Sequence, residues 1–147
     1  MIFVTGGTGL VGSHVLLRLA QEKKDFIALK RKSSSLVICH KVFKYYGATS
    51  LFEKIKWFEG DINNISALEE GMQACKFVIH AAGLVSFSSS EANLLRKVNI
   101  EGTKNVMNVA LTHGVKKAAY VSSIAALGTA NKNQIVGEEL SLKRPPL

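Results

Sequence analysis

The sequence predicts an α/β fold in which about five strands form one parallel sheet with helices wound over both faces. Three observations carry that expectation. Short apolar runs alternate with longer segments of helical periodicity. The runs are compact and uninterrupted by charge, as strands buried on both faces require. The first of them enters a glycine-rich turn that opens a helix, Thr5-Gly-Gly-Thr-Gly-Leu-Val-Gly12. With 147 residues the chain has the length of about one domain, enough to bury a core.

Residues 2–4 read as the first strand and 10–20 as the first helix, because Val11, Val15, Leu16 and Leu19 recur at helical spacing. Between them, Gly7, Gly9 and Gly12 fit Gly-x-Gly-x-x-Gly, and Gly6, Gly9 and Gly12 fit Gly-x-x-Gly-x-x-Gly. Each glycine has a separate task. Gly6 or Gly7 allows a reversal with positive φ, Gly9 offers bare backbone to a pyrophosphate, and Gly12 lets helix and strand pack closely. The helix then aims free N–H groups and its positive end at the phosphates. A strand before the turn and a helix after it favour a dinucleotide site over a purely structural turn. The fold is accordingly of the Rossmann type, with strand order 3-2-1-4-5.

A polar turn over 21–25 leads to a second strand over 26–29. The position just past this strand meets the adenosine ribose, and NAD is held there by an Asp or Glu. This chain places Lys30-Arg31-Lys32 there, and Asp25 lies at the opposite end of the strand. A guanidinium at Arg31, with Lys32 beside it, suits a 2′-phosphate, so NADP is expected in preference to NAD. The competing reading is three solvated loop cations.

Residues 36–54 suggest an amphipathic helix broken at Gly47 and carry no chemistry; Tyr45 and Tyr46 read as packing residues. A third strand over 55–58 ends at Gly60-Asp61-Ile62, a helix follows over 65–72, and Asn63, Asn64 or Ser66 could cap it. Asp61 sits where ligands of open α/β sheets collect and could accept from an adenine amino group, or serve only the turn. The fourth strand, 77–79, runs into His80-Ala-Ala-Gly83, whose small residues leave space for a flat cofactor. Without a carboxylate nearby in sequence, His80 reads as packed or hydrogen-bonded and not as a base.

A long helical pattern runs from about 88 to 112, and Asn99 interrupts its apolar face. Such an amide either ties a buried backbone group or holds a water near the site. Gly114 caps the helix, a fifth strand spans 118–121, and Ser122-Ser123 follow where a nicotinamide would lie. Beyond Gly128 no stable element is expected.

Composition narrows the classes. At 47% hydrophobic and 20% charged residues the chain reads as a folded, soluble, cytoplasmic domain. No apolar window reaches the length of a membrane span, and no secretory leader opens the sequence. Cys39 and Cys75 read as reduced structural thiols, and no metal-ligand spacing is present. The net charge of +8 invites a nucleic-acid reading, but the lysines are scattered and lack interleaved aromatics, so a solvated basic surface is favoured.

Taken in order, Thr5 to Gly12, Gly60-Asp-Ile62, His80-Ala-Ala-Gly83, Asn99-Ile-Glu-Gly-Thr103 and Tyr120-Val-Ser-Ser123 resemble the extended short-chain dehydrogenase/reductases, the epimerase/dehydratase and dihydroflavonol-reductase-like group. The resemblance implies an NADP-dependent oxidoreductase or epimerase/dehydratase acting on a carbonyl compound or nucleotide sugar, without nucleic-acid or membrane partners and with a possible homodimer. It implies that Gly6, Thr8, Gly9, Leu10, Val11 and Gly12 hold the pyrophosphate and that Arg31 and Lys32 take the 2′-phosphate. Asp61 and Ile62 would flank adenine, and Ala81, Ala82, Gly83 and Val121 the nicotinamide side. Asn99 matches the family's structural or proton-relay asparagine, and Ser123 the serine that bonds the substrate oxygen. The family's Tyr-x-x-x-Lys pair is not found: none of Tyr45, Tyr46 and Tyr120 has Lys four positions on. Residues 1–147 are therefore expected to be an inactive N-terminal piece that precedes the catalytic Tyr and the substrate-binding lobe. The alternative is a non-catalytic NADP-binding sensor or scaffold.

Overall fold

In the computed structural model, residues 1–127 are described; the expectation for the segment after Gly128 lies outside them. Five strands, β1 (Ile2–Thr5), β2 (Phe26–Lys30), β3 (Trp57–Glu59), β4 (Phe77–His80) and β5 (Lys117–Tyr120), form one sheet in the order β3-β2-β1-β4-β5. Every pairing is parallel. The strand order is the one the sequence predicts. Helices α1 (Leu10–Gln21), α2 (Val37–Tyr45), α3 (Thr49–Phe52) and α4 (Ile65–Met72) connect the first four strands.

Period-two alternation divides the core between the two faces. Phe3, Leu29 and Val78 pack with Leu68 and Met72 of α4 and with Val106 and Val109 farther along the chain. Val4, Phe26 and Ala28 pack on the other face with Leu16 and Leu17 of α1 and with Cys39, Val42 and Phe43 of α2. Both cysteines are buried free thiols. β5 is different: all four of its residues are exposed, although parallel strands are normally covered on both faces.

Local chemistry sets the breaks. Gly47 at φ +64° ends the 36–54 segment's first helix, so the single amphipathic pattern resolves into α2 and the short α3. Tyr45 and Tyr46 are exposed and pack edge-on against each other rather than into the core. Asn64, the middle one of the three candidate caps, accepts from the Ala67 amide at the start of α4. The 88–112 pattern is a rod of three parts after a 3₁₀ turn at Ser89–Glu91. α5 (Ala92–Arg96) passes through one π-helical turn (Lys97–Gly102) into α6 (Thr103–Thr112), with right-handed helical dihedrals at both junctions.

The lysines scattered in sequence are gathered by the topology. Lys23 and Lys24, Lys54 and Lys56, Lys76, and Lys116 lie in the segments leading into β2, β3, β4 and β5, and Lys117 is the first residue of β5; all are exposed. They share the edge of the sheet where helices end, and cations there complement the helices' negative ends.

Replacing fully buried Leu68 by Ala should cost about 2–5 kcal/mol in urea unfolding. Leu111→Ala, at a side chain 78% exposed, should stay within about 0.5 kcal/mol of wild type.

Candidate functional site

The carboxyl ends of β1, β2, β3 and β4 open onto one groove, and the turn after β1 forms its floor. Gly6 takes φ +75°, so of the two candidates Gly6 and not Gly7 makes the reversal. The Gly9 amide donates to the Gly6 carbonyl at 3.0 Å and closes the turn. A Cβ on Gly6 would overlap the backbone of Ala81 and Ala82, and one on Gly12 would overlap the Gly6 carbonyl. Gly12 thus presses α1 against the turn itself. Beside Gly9, by contrast, the nearest atom a Cβ would meet is the Gly6 oxygen at 3.5 Å.

Helix α1 therefore begins with donors that no intrahelical bond uses. Its first i→i−4 bond runs from the Ser13 amide to the Gly9 carbonyl, so the amides of Leu10, Val11 and Gly12 precede the helical ladder. No side chain caps this end, and its first turn contains no acid. The positive end of the helix dipole is left unneutralised beside the groove. The buried Ser13 hydroxyl shares its proton between the carbonyls of Gly9, at 2.6 Å, and Gly7, at 3.1 Å. That bond ties both glycine carbonyls back into the helix, a role the sequence motif does not reveal.

The far wall hangs from His80. Its ring is fully buried, with Nδ1 paired to the Thr5 hydroxyl at 2.5 Å and Nε2 to the Thr103 hydroxyl at 2.9 Å. Thr5 Oγ1 also accepts from the Ala82 amide, and Tyr120 stacks on the imidazole with centroids 5.4 Å apart. Burial lowers the His80 pKa from the ordinary 6.5 to about 4, so the ring is neutral at pH 7. This is the hydrogen-bonded histidine expected from sequence; its partners, 75 and 23 positions away, could not be read there. One turn from Thr103, Asn99 clamps Leu84 from both sides: Oδ1 accepts from the Leu84 amide and Nδ2 donates to the Leu84 carbonyl, each at 2.8 Å. Of the two roles expected for this amide, the structure shows the backbone tie.

The basic end lies past β2. The Arg31 amide donates to the Ser34 hydroxyl and the Ser34 amide to the Arg31 carbonyl, which folds the residues after the strand into a tight turn. Lys30 faces Glu59 across the sheet with 3.7 Å between their charges, so its cation is matched. Arg31 and Lys32 have no such ion pair among the described residues. Asp61 Oδ1 accepts from both the amide and the side chain of Asn63, an arrangement that shapes the loop after β3.

Gly6, Thr8, Gly9, Arg31, Asp61, Ile62, Ala81, Ala82 and Gly83 line the groove. Arg31 and Asp61 also border a shallower hollow together with Lys32. Leu10, Val11 and Gly12 contribute backbone at the mouth of α1 without lining it. Val121, whose amide donates to the His80 carbonyl, and Ser123 stand just past β5 at the same strand-end edge, outside the groove lining. Ser34 and Leu84 line the groove and were not among the expected residues. Among the described residues no helix is long and apolar enough to cross a membrane.

A family model described as the NAD-dependent epimerase/dehydratase family matches residues 2–146. UDP-glucose 4-epimerase 2 of Oryza sativa subsp. japonica is 32% identical over 146 residues, which is 96% of this chain and 35% of the rice protein. Mouse 3β-hydroxysteroid dehydrogenase type 7 is 27% identical over 132 residues, covering 85% of this chain and 33% of that protein. Among solved structures, UDP-glucose 4-epimerase from Bifidobacterium longum in complex with NAD⁺ and UDP superposes with a TM-score of 0.76 at 28% identity, over 95% of this chain and 42% of the epimerase. The chain spans about a third of the length of these curated relatives.

The neutral, buried His80 makes a pH prediction. Its folded pKa lies below its unfolded one, so the unfolded state binds the extra proton. Stability is fully present above about pH 6.5 and is lost as pH falls toward 4, by up to about 3 kcal/mol. Melting curves across that window should show the loss in wild type and a flatter response in His80→Asn; identical slopes would refute the assignment.

Proposed function

The chain belongs to the NAD-dependent epimerase/dehydratase family, and from that premise we propose that it forms the cofactor-binding part of an oxidoreductase or epimerase/dehydratase that prefers NADP. One observation carries the reading. The Gly6–Gly12 turn leaves the amides of Leu10, Val11 and Gly12 and an uncapped, acid-free helix end beside a groove open at Gly9. That donor set fits a diphosphate.

From that anchor the groove extends both ways. Toward β3, the Asp61 carboxylate would accept from the adenine amino group, with Ile62 beside the ring. Past β2, Arg31 and Lys32 would meet a 2′-phosphate, since the carboxylate that holds an NAD ribose is absent from this strand end and the nearby Lys30 already faces Glu59. Toward β4, Ala81, Ala82 and Gly83 present small side chains to the nicotinamide half. When bound, the cofactor gives or takes a hydride.

The protein's own part in the chemistry is positional and electrostatic. Ser123 would donate to the substrate oxygen and so polarise a carbonyl, while Asn99 keeps the Leu84 loop, and with it that wall, in place. The substrate class is a small carbonyl or hydroxyl compound or a nucleotide sugar, the latter in keeping with the UDP-glucose relatives. The phenol that would exchange the proton is sought outside residues 1–147, because none of the three tyrosines has Lys four positions on.

Gly9→Val should abolish NADP binding in calorimetry with the far-UV circular dichroism nearly unchanged; retained affinity would reject the groove. Arg31→Asp should reverse the preference, weakening NADP by about tenfold or more and improving NAD. An unchanged ratio would remove Arg31 from the 2′-phosphate site.

A further inference from the structure

The rod of α5, the π turn and α6 touches both walls of the groove from behind. On the nicotinamide side it holds Leu84 through Asn99 and His80 through Thr103. On the adenine side it makes a contact nothing in the sequence motifs assigns: Asn105 Nδ2 donates to the Ile62 carbonyl at 3.2 Å. Next to that bond the Ile62 side chain lies on Gly102, where a Cβ would come within 2.5 Å of Ile62 Cδ1. Ile62 is therefore pinned twice to one helical turn, by its carbonyl to Asn105 and by its side chain to Gly102.

We propose that Asn105 is a positioning residue for the adenosine half of the cofactor, acting through the backbone of Ile62 on the carboxylate of Asp61. The inference rests on the dinucleotide reading above. Asn105 does not line the groove, so it has no direct contact to offer a ligand. What it controls is the loop between β3 and α4. That loop has an internal brace, in which Asp61 Oδ1 accepts from Asn63 and the Asn64 amide donates to the Asp61 carbonyl. The brace fixes the loop's shape but not its distance from the rest of the groove. Among the described residues its hydrogen bonds to the outside are from the Gly60 amide to the Lys30 carbonyl at the end of β2 and from Asn105 to the Ile62 carbonyl, beside the contact of the Ile62 side chain with Gly102. The first anchors the loop where it leaves β3; the second sets its height over α6.

The π turn makes one rod serve both walls. Asn99 lies inside the wide turn and Gly102 ends it, so Asn99, Thr103 and Asn105 reach Leu84, His80 and Ile62 from successive parts of a single element. Spacing between the adenine wall and the nicotinamide wall is then fixed by a stiff helix, and a ligand that must bridge both finds them already in register.

The test is a double-mutant cycle on the full chain, with 2′,5′-ADP as the probe in calorimetry and pyrophosphate titrated by NMR on the Gly9 amide as a control. Asn105→Ala should weaken 2′,5′-ADP about five- to tenfold in wild type and have little further effect in an Asp61→Ala background, because it acts through that carboxylate. Pyrophosphate affinity should not change. Asn105→Asp, which keeps the volume and removes the donor, is measured alongside; it should give the same pattern should the alanine variant fold poorly. Unchanged 2′,5′-ADP affinity in both variants, or an equal loss with and without Asp61, overturns the inference while leaving the dinucleotide site standing. If wild type binds neither probe, the dinucleotide reading itself fails and the inference goes with it.

Discussion

Three backbone segments meet without side chains between them, and the rest of the groove depends on that contact. Gly6 rests on the peptide between Ala81 and Ala82, and Gly12 rests on the Gly6 carbonyl. The end of β1, the start of α1 and the end of β4 are thus held at the closest approach that backbone allows. A methyl group at either position would have to push whole strands or a helix aside, since the obstructing atoms are main chain and cannot rotate away. The same closeness brings the amides of Leu10, Val11 and Gly12 beside the groove and Ala81 to Gly83 to its wall. Packing and binding geometry here have a single cause.

Around this contact the walls are set by buried and half-buried polar groups, each hydrogen-bonded. Ser13 ties the carbonyls of Gly7 and Gly9, Thr5 and Thr103 bracket His80, and Asn99 clamps Leu84. Among the described residues no buried side-chain nitrogen or oxygen lacks a partner. Such groups specify position better than apolar contacts do, because a displaced donor in a dry interior loses its bond without recovering one to water. Apolar packing brings the sheet and helices together, and these bonds then fix the register of the loops. The lysine-bearing edge lies at the other end of the strands from the groove, whereas Lys30, Arg31 and Lys32 stand at the groove's end of β2.

Much of the fold was legible in the order of residues. Compact apolar runs and helical spacing are local properties, and they located all five strands and the main helices to within a residue or two. The boundaries that shifted did so for tertiary reasons. Residues 55 and 56 precede β3, with Ile55 buried beneath α3, and the 88–112 pattern acquired a π turn that serves Asn99 and Gly102. Lys30-Arg31-Lys32 could be read as a basic strand end, but that Lys30 faces Glu59 is a matter of strand pairing.

By itself the sequence determined the α/β class and the glycine turn, because periodicity and missing side chains act within a few residues, and the fold type those two features imply supplied the strand order. Only the tertiary structure decided which glycine reverses the chain and what His80, Asn99, Ser13 and Asn105 bond to. Each of those roles depends on a partner brought near by parallel crossover connections, and a hydrogen bond between residues tens of positions apart leaves no periodic trace in the chain.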